Sequence, residues 1–266
     1  MPHSSIKSLP RFKYIFGPVY SWRLGQSLGV DPLSAKAKIC SYGCIYCQLG
    51  RTRNLSRRRQ VFVPVREITR EIRSLPPVKI DYITFSGRGE PTLAKNLGRM
   101  IRAVRRIRPE KIAVITNGSL LDRKGVREDL GSADFVLVKL DAWDASSWRK
   151  INQPASGIGF ERMLSGIKRF RKEYQGRFGL QIMLMNLSRQ GVDRLADLAR
   201  QIRPDEIQLN TPLRENPISP LSRAAMDQLT RTFKGMRIRM VYQAERRKSK
   251  PLNQQTTRRR HGTERL

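Results

Sequence analysis

Three cysteines fall within one short segment, Ile39-Cys40-Ser41-Tyr42-Gly43-Cys44-Ile45-Tyr46-Cys47, and the chain has no others. Thiols spaced C-x3-C-x2-C, odd in number and this close, cannot form a paired disulfide framework. A structural zinc site wants four ligands, usually as two separated pairs, and no histidine lies nearby. A cubane iron–sulfur cluster can take three thiolates and leave one iron open to a substrate or cofactor. The spacing favours the cluster over zinc. The two histidines, His3 and His261, sit towards the two ends. No core histidine is therefore on offer as a general base, which excludes Ser-His-Asp hydrolases, Cys-His proteases and H-E-x-x-H zinc enzymes.

The remaining polar candidates cluster in four places: Gly87-Arg88-Gly89-Glu90-Pro91-Thr92, Thr116-Asn117-Gly118, Lys139-Leu140-Asp141 and Asn210-Thr211-Pro212. Each alone reads as a turn or helix cap. Each, however, ends a strand-like run. Such runs cover 27–31, 80–86, 111–116, 134–140, 178–185 and 206–210, and most are apolar on both faces. Between them lie helical patterns, such as Val65, Ile68, Ile72, Leu75 and Val192, Leu195, Leu198, Ala199, Ile202. Alternation of this kind predicts an α/β fold with a parallel sheet, whose ligands sit at the C-terminal strand ends. Six units suit a partial (β/α)6 TIM-like barrel; a doubly wound sheet is the alternative. The junctions at 106–112 and 200–207 also resemble one another, each with a proline between helix and strand. The expected organisation is a lead-in segment over 1–26, a core domain over 27–243 and a basic tail over 244–266.

The 266 residues carry 53 Lys plus Arg against 22 Asp plus Glu, a formal net charge of +31, with 39% hydrophobic residues. That describes a globular chain with a polyanion as its expected partner. No apolar run approaches a membrane span, and the first thirteen residues lack the apolar core of a signal peptide, so no membrane partner and a cytoplasmic location are expected. Part of the charge is ordinary: Lys95, Arg99, Arg102 and Arg106 form the outer face of an amphipathic helix. Arg51, Arg53, Arg57, Arg58 and Arg59 directly follow the cysteines, and we read them as substrate- or anion-binding. Arg246-Arg247-Lys248 through Arg258-Arg259-Arg260 reads as a flexible basic tail. RNA is the polyanion these runs suggest as substrate, although aromatic residues for base stacking amount to only 7%.

The cysteine motif, with Tyr46 before its last cysteine, resembles the core motif of radical S-adenosylmethionine enzymes. Ser21-x-Arg23-Leu24-Gly25, Cys47-Gln48-Leu49-Gly50, Phe85-Ser86-Gly87-x-Gly89-Glu90-Pro91, Ile151-Asn152-x-Pro154 and Gln208-Leu209-Asn210-Thr211-Pro212 extend the resemblance from about Tyr14 to Leu252. They are similar to the branch of iron–sulfur oxidoreductases related to wybutosine-synthesis enzymes. The resemblance implies a [4Fe-4S] cluster on Cys40, Cys44 and Cys47, with S-adenosylmethionine on its open iron and a flavodoxin- or ferredoxin-type electron donor. It implies that Gly89 and Glu90 bind the methionyl amino group and that Asp141, with Lys139, reaches the ribose. Tyr46 would lie near the adenine, and Asn117 joins the cofactor-binding set. A reduced cluster would cleave the sulfonium to a 5′-deoxyadenosyl radical that takes hydrogen from substrate. Two positions depart from the pattern, Arg88 at a usual glycine and Lys139 at a usual small polar residue. A dinucleotide fingerprint fails because Thr92 occupies the third glycine position. With no cysteine left over, an auxiliary cluster has no protein ligands, and the substrate is not assigned. The alternatives are activation of a partner protein by glycyl-radical formation and a non-enzymatic, metal-dependent RNA-binding protein. The oligomeric state is not legible.

Overall fold

A computed structural model describes residues 12–243 and 249–261. Among the described residues there are ten strands and eight α-helices. The strands are β1 (Ile15–Ser21), β2 (Gly25–Val30), β3 (Ile39–Cys40), β4 (Asn54–Leu55), β5 (Tyr82–Phe85), β6 (Lys111–Thr116), β7 (Phe135–Lys139), β8 (Arg177–Met183), β9 (Glu206–Asn210) and β10 (Ile238–Met240). The helices are α1 (Val65–Arg73), α2 (Leu97–Arg105), α3 (Lys124–Leu130), α4 (Ala145–Asn152), α5 (Phe160–Glu173), α6 (Arg189–Ile202), α7 (Arg223–Thr230) and α8 (Gln254–His261).

Eight strands form one sheet in the order β1-β2-β5-β6-β7-β8-β9-β10, curled as a half-barrel. From β2 to β10 every neighbour is parallel, and β1 pairs antiparallel with β2. The six sequence-predicted strands are the parallel strands β2 and β5 to β9, so the partial barrel is the observed architecture. Two strands of this sheet are additions, and β3 and β4 form a separate pair. β1 lies within the segment read as a lead-in, and β10 is three residues long, with Arg237 before it and Arg239 at its centre.

Alternation along each strand sorts side chains to two faces. On β6 and β7, Ile112, Val114, Val136 and Val138 enter the main core under the helices. The residues between them, Ala113, Phe135 and Leu137, turn inward and meet Leu24 from the β1–β2 turn, which plugs one end of the lumen. Each such buried aliphatic or aromatic side chain contributes about 1.5–3 kcal/mol relative to exposure. Helix α2 shows the matching pattern outside: Leu97, Met100, Ile101 and Val104 are buried while Arg99, Arg102 and Arg106 are exposed.

The basic tail requires correction. Arg246, Arg247 and Lys248 lie outside the described residues, but 249–261 is not a loose end. Leu252 N–H donates to Gly17 O at 2.7 Å, and Gly17 N–H donates to Thr257 Oγ1 at 2.9 Å. Arg260 is buried, with Nε donating to Asp31 Oδ2 at 2.8 Å and Nη2 to Lys13 O at 2.7 Å. A basic residue in a polar helix gives no sign in the sequence that a buried carboxylate awaits it. Among the described residues no helix is long and apolar enough to cross a membrane.

Candidate functional site

The cysteine loop between β3 and β4 crosses the C-terminal edge of the sheet and is held there from three sides. Ile39 N–H donates to Arg88 O and Glu90 N–H to Ile39 O, both at 3.2 Å, lacing the loop to the turn after β5. Gly89 makes that approach possible: at φ +152°, a Cβ here would stand 1.7 Å from Ile39 O. From the other side, Gly43 N–H and Ile45 N–H donate to Asn152 O and Ile151 O at 2.9 and 3.0 Å. These are the carbonyls that helix α4 leaves open at its C-terminus. Below, Ser41 Oγ meets Ser119 Oγ at 2.7 Å.

Each thiol has its own nitrogen donor. Cys40 Sγ faces Tyr42 N–H at 3.5 Å and Asn117 Nδ2 at 3.6 Å; Cys44 Sγ faces Asn152 Nδ2 at 3.4 Å; Cys47 Sγ faces Lys38 Nζ at 2.9 Å. Burial pushes the Cys40 and Cys44 thiols up, with Glu90 and Asp141 adding to it for each in turn. Thiols so placed are poor nucleophiles and need a bound cation to become thiolates. Among the described residues no three His, Cys, Asp or Glu side chains converge to hold one metal ion. A cubane instead meets each thiolate at a different iron, so this donor set fits a cluster and does not fit zinc.

Glu90 is 2% exposed and saturated with donors. Oε1 accepts from Thr92 N–H at 3.0 Å, Thr92 Oγ1 at 2.7 Å and Thr116 Oγ1 at 2.6 Å, and Oε2 accepts from Asn117 N–H at 2.7 Å. Burial raises its pKa, and these hydrogen bonds oppose the rise. The carboxylate thus ties the turn after β5 to the end of β6. Asn117 likewise spends its amide on the loop, donating to Cys40 and, at 2.8 Å, to Ser41 Oγ.

Beyond Cys44, the Tyr46 hydroxyl donates to Asp141 Oδ2, whose other oxygen accepts from Met183 N–H at 2.8 Å. Lys139 Nζ stands 3.5 Å from the same Oδ2 and 5.0 Å over the Tyr46 ring. Asn152 Nδ2 reaches both Tyr46 and Asp141 at 3.4 and 3.3 Å. Sequence reasoning quoted Asn152 within a motif without giving it a role, and it missed Lys38, which carries no motif. Arg88 turns away from the loop's sulfurs to donate to Lys36 O at 2.7 Å.

Next to Cys47 opens a cavity of about 260 Å3, lined by Tyr46, Lys139, Ser86, Gly87 and residues of β1, β2 and β8. The arginines after the cysteines do not line it. Arg51, Arg53, Arg57 and Arg58 are exposed, Arg57 donating to Gly157 O at 3.2 Å. Arg59 is committed elsewhere: it donates to Thr92 O and Ala94 O and pairs with Asp129. The cations of the cavity come instead from Arg23, Lys139, Arg214 and Arg260.

Known proteins bear on the same residues. The chain is 42% identical over 208 residues to a UPF0026 protein of Synechocystis, covering 78% of each. In fold it is similar to Streptococcus suis SuiB bound to S-adenosylmethionine (TM-score 0.58, 16% identity, 77% of this chain and 48% of that one). It is also similar to archaeal TYW1 (TM-score 0.54, 16% identity, 79% and 72%). The chain thus spans about half the length of SuiB. A profile of the radical SAM superfamily matches residues 36–199, from the cysteine loop through β8 and most of α6. A match over more than half of the chain, on the strands and loop that build this site, makes it a member of the radical SAM superfamily, enzymes that use a [4Fe-4S] cluster and S-adenosylmethionine.

Proposed function

We propose that this chain is a radical enzyme that abstracts hydrogen from an anionic substrate in the half-barrel, with RNA as the first polyanion to test. The observation that carries the reading is the cysteine loop itself: three thiols, each with its own nitrogen donor, beside a cavity lined by Cys47 and Tyr46. When bound, the cluster and S-adenosylmethionine supply one electron and a sulfonium, whose cleavage yields methionine and a 5′-deoxyadenosyl radical. Cys40, Cys44 and Cys47 hold the cluster. Lys38, Asn117 and Asn152 fix the direction of the sulfurs by donating to them.

Glu90 keeps the turn after β5 pressed to the loop, so that its carboxylate charge and the backbone near Gly89 serve the methionyl ammonium. Tyr46 and Asp141 form a prearranged polar pair for the nucleoside, and Lys139 compensates the buried Asp141 charge. The net charge of +31 supports a polyanionic partner. Members of this superfamily generally need a reductant such as flavodoxin or ferredoxin, and we assign one to this chain.

Anaerobic reconstitution followed by reduction tests the reading. The loaded protein is expected to form 5′-deoxyadenosine, more strongly when fractionated cellular RNA is added. A protein carrying four irons that forms none sinks the enzymatic reading. Formation that RNA leaves unchanged removes RNA alone.

A further inference from the structure

The cavity beside Cys47 carries an imbalance of charge. Four of its lining residues are cations and none is a carboxylate. Lys139 is compensated by Asp141 and Arg260 by Asp31. Arg214 donates to Gln48 Oε1 at 2.7 Å. Arg23 differs. Its guanidinium lies 4.5 Å over the Trp22 ring, and its Nε is sealed from solvent without an acceptor. Burial, then the charges of Arg214 and Arg239, push its pKa down to about 9, which still leaves it cationic at neutral pH.

Arg23 is half-buried, and a partly desolvated cation with no carboxylate beside it is costly; such groups concentrate at functional sites. The fold holds this one in place: Arg239, from β10, donates to the carbonyls of Trp22 and Arg23 at 2.7 and 2.9 Å. Its origin matters as well. The β1–β2 turn precedes β2, which runs parallel to β5, so Arg23 enters the lumen from the N-terminal edge of the sheet. The cysteine loop occupies the opposite edge, and with it the ground proposed for the methionyl group.

We infer that the cavity binds an anionic group of the substrate, a phosphate or a carboxylate, and that Arg23 is the residue that recognises it, with Arg214 beside it. A guanidinium presents paired N–H donors that match either anion. The substrate in this statement rests on the hydrogen abstraction proposed above, but anion binding needs no turnover and is tested without it.

Trp22 provides the reporter. Its fluorescence in the reconstituted full chain is titrated anaerobically with inorganic phosphate and, separately, with acetate, against sodium chloride at matched ionic strength. A saturable change with either anion is expected, absent in Trp22→Phe. Its dissociation constant should rise at least tenfold in Arg23→Gln, with partial recovery in Arg23→Lys. Phosphate alone or acetate alone identifies the chemistry of the group. No saturable change beyond that of chloride in the wild type overturns the inference, as does equal affinity in Arg23→Gln. Equilibrium dialysis with S-adenosylmethionine supplies the third arm: a parallel tenfold loss in Arg23→Gln assigns Arg23 to the cofactor and overturns it too. Failure to form 5′-deoxyadenosine is a separate readout, so it reaches the enzymatic reading and leaves the anion titration standing.

Discussion

Lys38 stands two residues before the first cysteine and sends its ammonium to Cys47 Sγ and to Gly50 O, each at 2.9 Å. A cationic donor on a ligand sulfur withdraws electron density and makes a cluster easier to reduce. Lys38→Met is therefore expected to load iron normally and to shift the midpoint of an anaerobic redox titration to lower potential. A tenfold smaller reduced-to-oxidised ratio at fixed poise would correspond to about 59 mV. Gly89→Ala should act on assembly instead. Its methyl would collide with Ile39 O, costing about 1–3 kcal/mol as an overpacked contact and displacing the loop. Lower iron content per chain, together with a lower melting temperature, would be the reading. These two residues also mark what the sequence reveals at this scale. The cysteines are legible because their chemistry is set by spacing along the chain, and Gly89 is legible through the resemblance its turn carries. Lys38 and Arg59 are not, since a lysine that meets sulfur and an arginine that meets Asp129 look the same in sequence as any solvated cation.

Among the elements, α4 links two parts of the site, because its C-terminal carbonyls receive the cysteine loop and its last residue is Asn152. Its start is fixed by a capping box, Asp144 Oδ1 accepting from Ser147 N–H at 2.7 Å while Ser147 Oγ accepts from Asp144 N–H at 3.1 Å. The hydrogen bond from Ser147 N–H holds the Asp144 carboxyl below the usual range. The ionised form is favoured in the folded chain, so the cap stabilises above the ordinary aspartate value and fades as pH falls through the lowered one. Asp144→Ala is expected to cost about 1 kcal/mol at neutral pH. Urea titration should show the difference between variant and wild type closing in acid. The six core strands were readable because burial on both faces leaves runs of Val, Ile, Leu and Phe. β10 was not, since three residues with an arginine at their centre draw their strand character from the β9 ladder rather than from their own pattern.

At the scale of the molecule, the half-barrel is closed by side chains rather than by a ladder. Arg239 spans from β10 to the β1–β2 turn, and Arg260 carries α8 onto Asp31. Removing one partner of a buried pair strands the other charge, so Arg260→Ala should cost about 3 kcal/mol, seen as a lower urea midpoint at unchanged slope. Tertiary pairing of this kind has no periodicity, which is why the sequence suggested a loose tail. The docking of α8 has a further consequence in kinetics. The strands of the main sheet lie in the order of the chain, so every ladder joins near neighbours in sequence, whereas Gly17 and Thr257 meet across 240 positions. Closing a loop of this length, with Lys13 and Arg260 meeting across 247 positions, carries a larger entropic cost than closing any ladder of the main sheet. Native-state hydrogen exchange should accordingly find the Gly17 and Leu252 amide protons released in a partial opening, while those of β6, β7 and β8 wait for global unfolding.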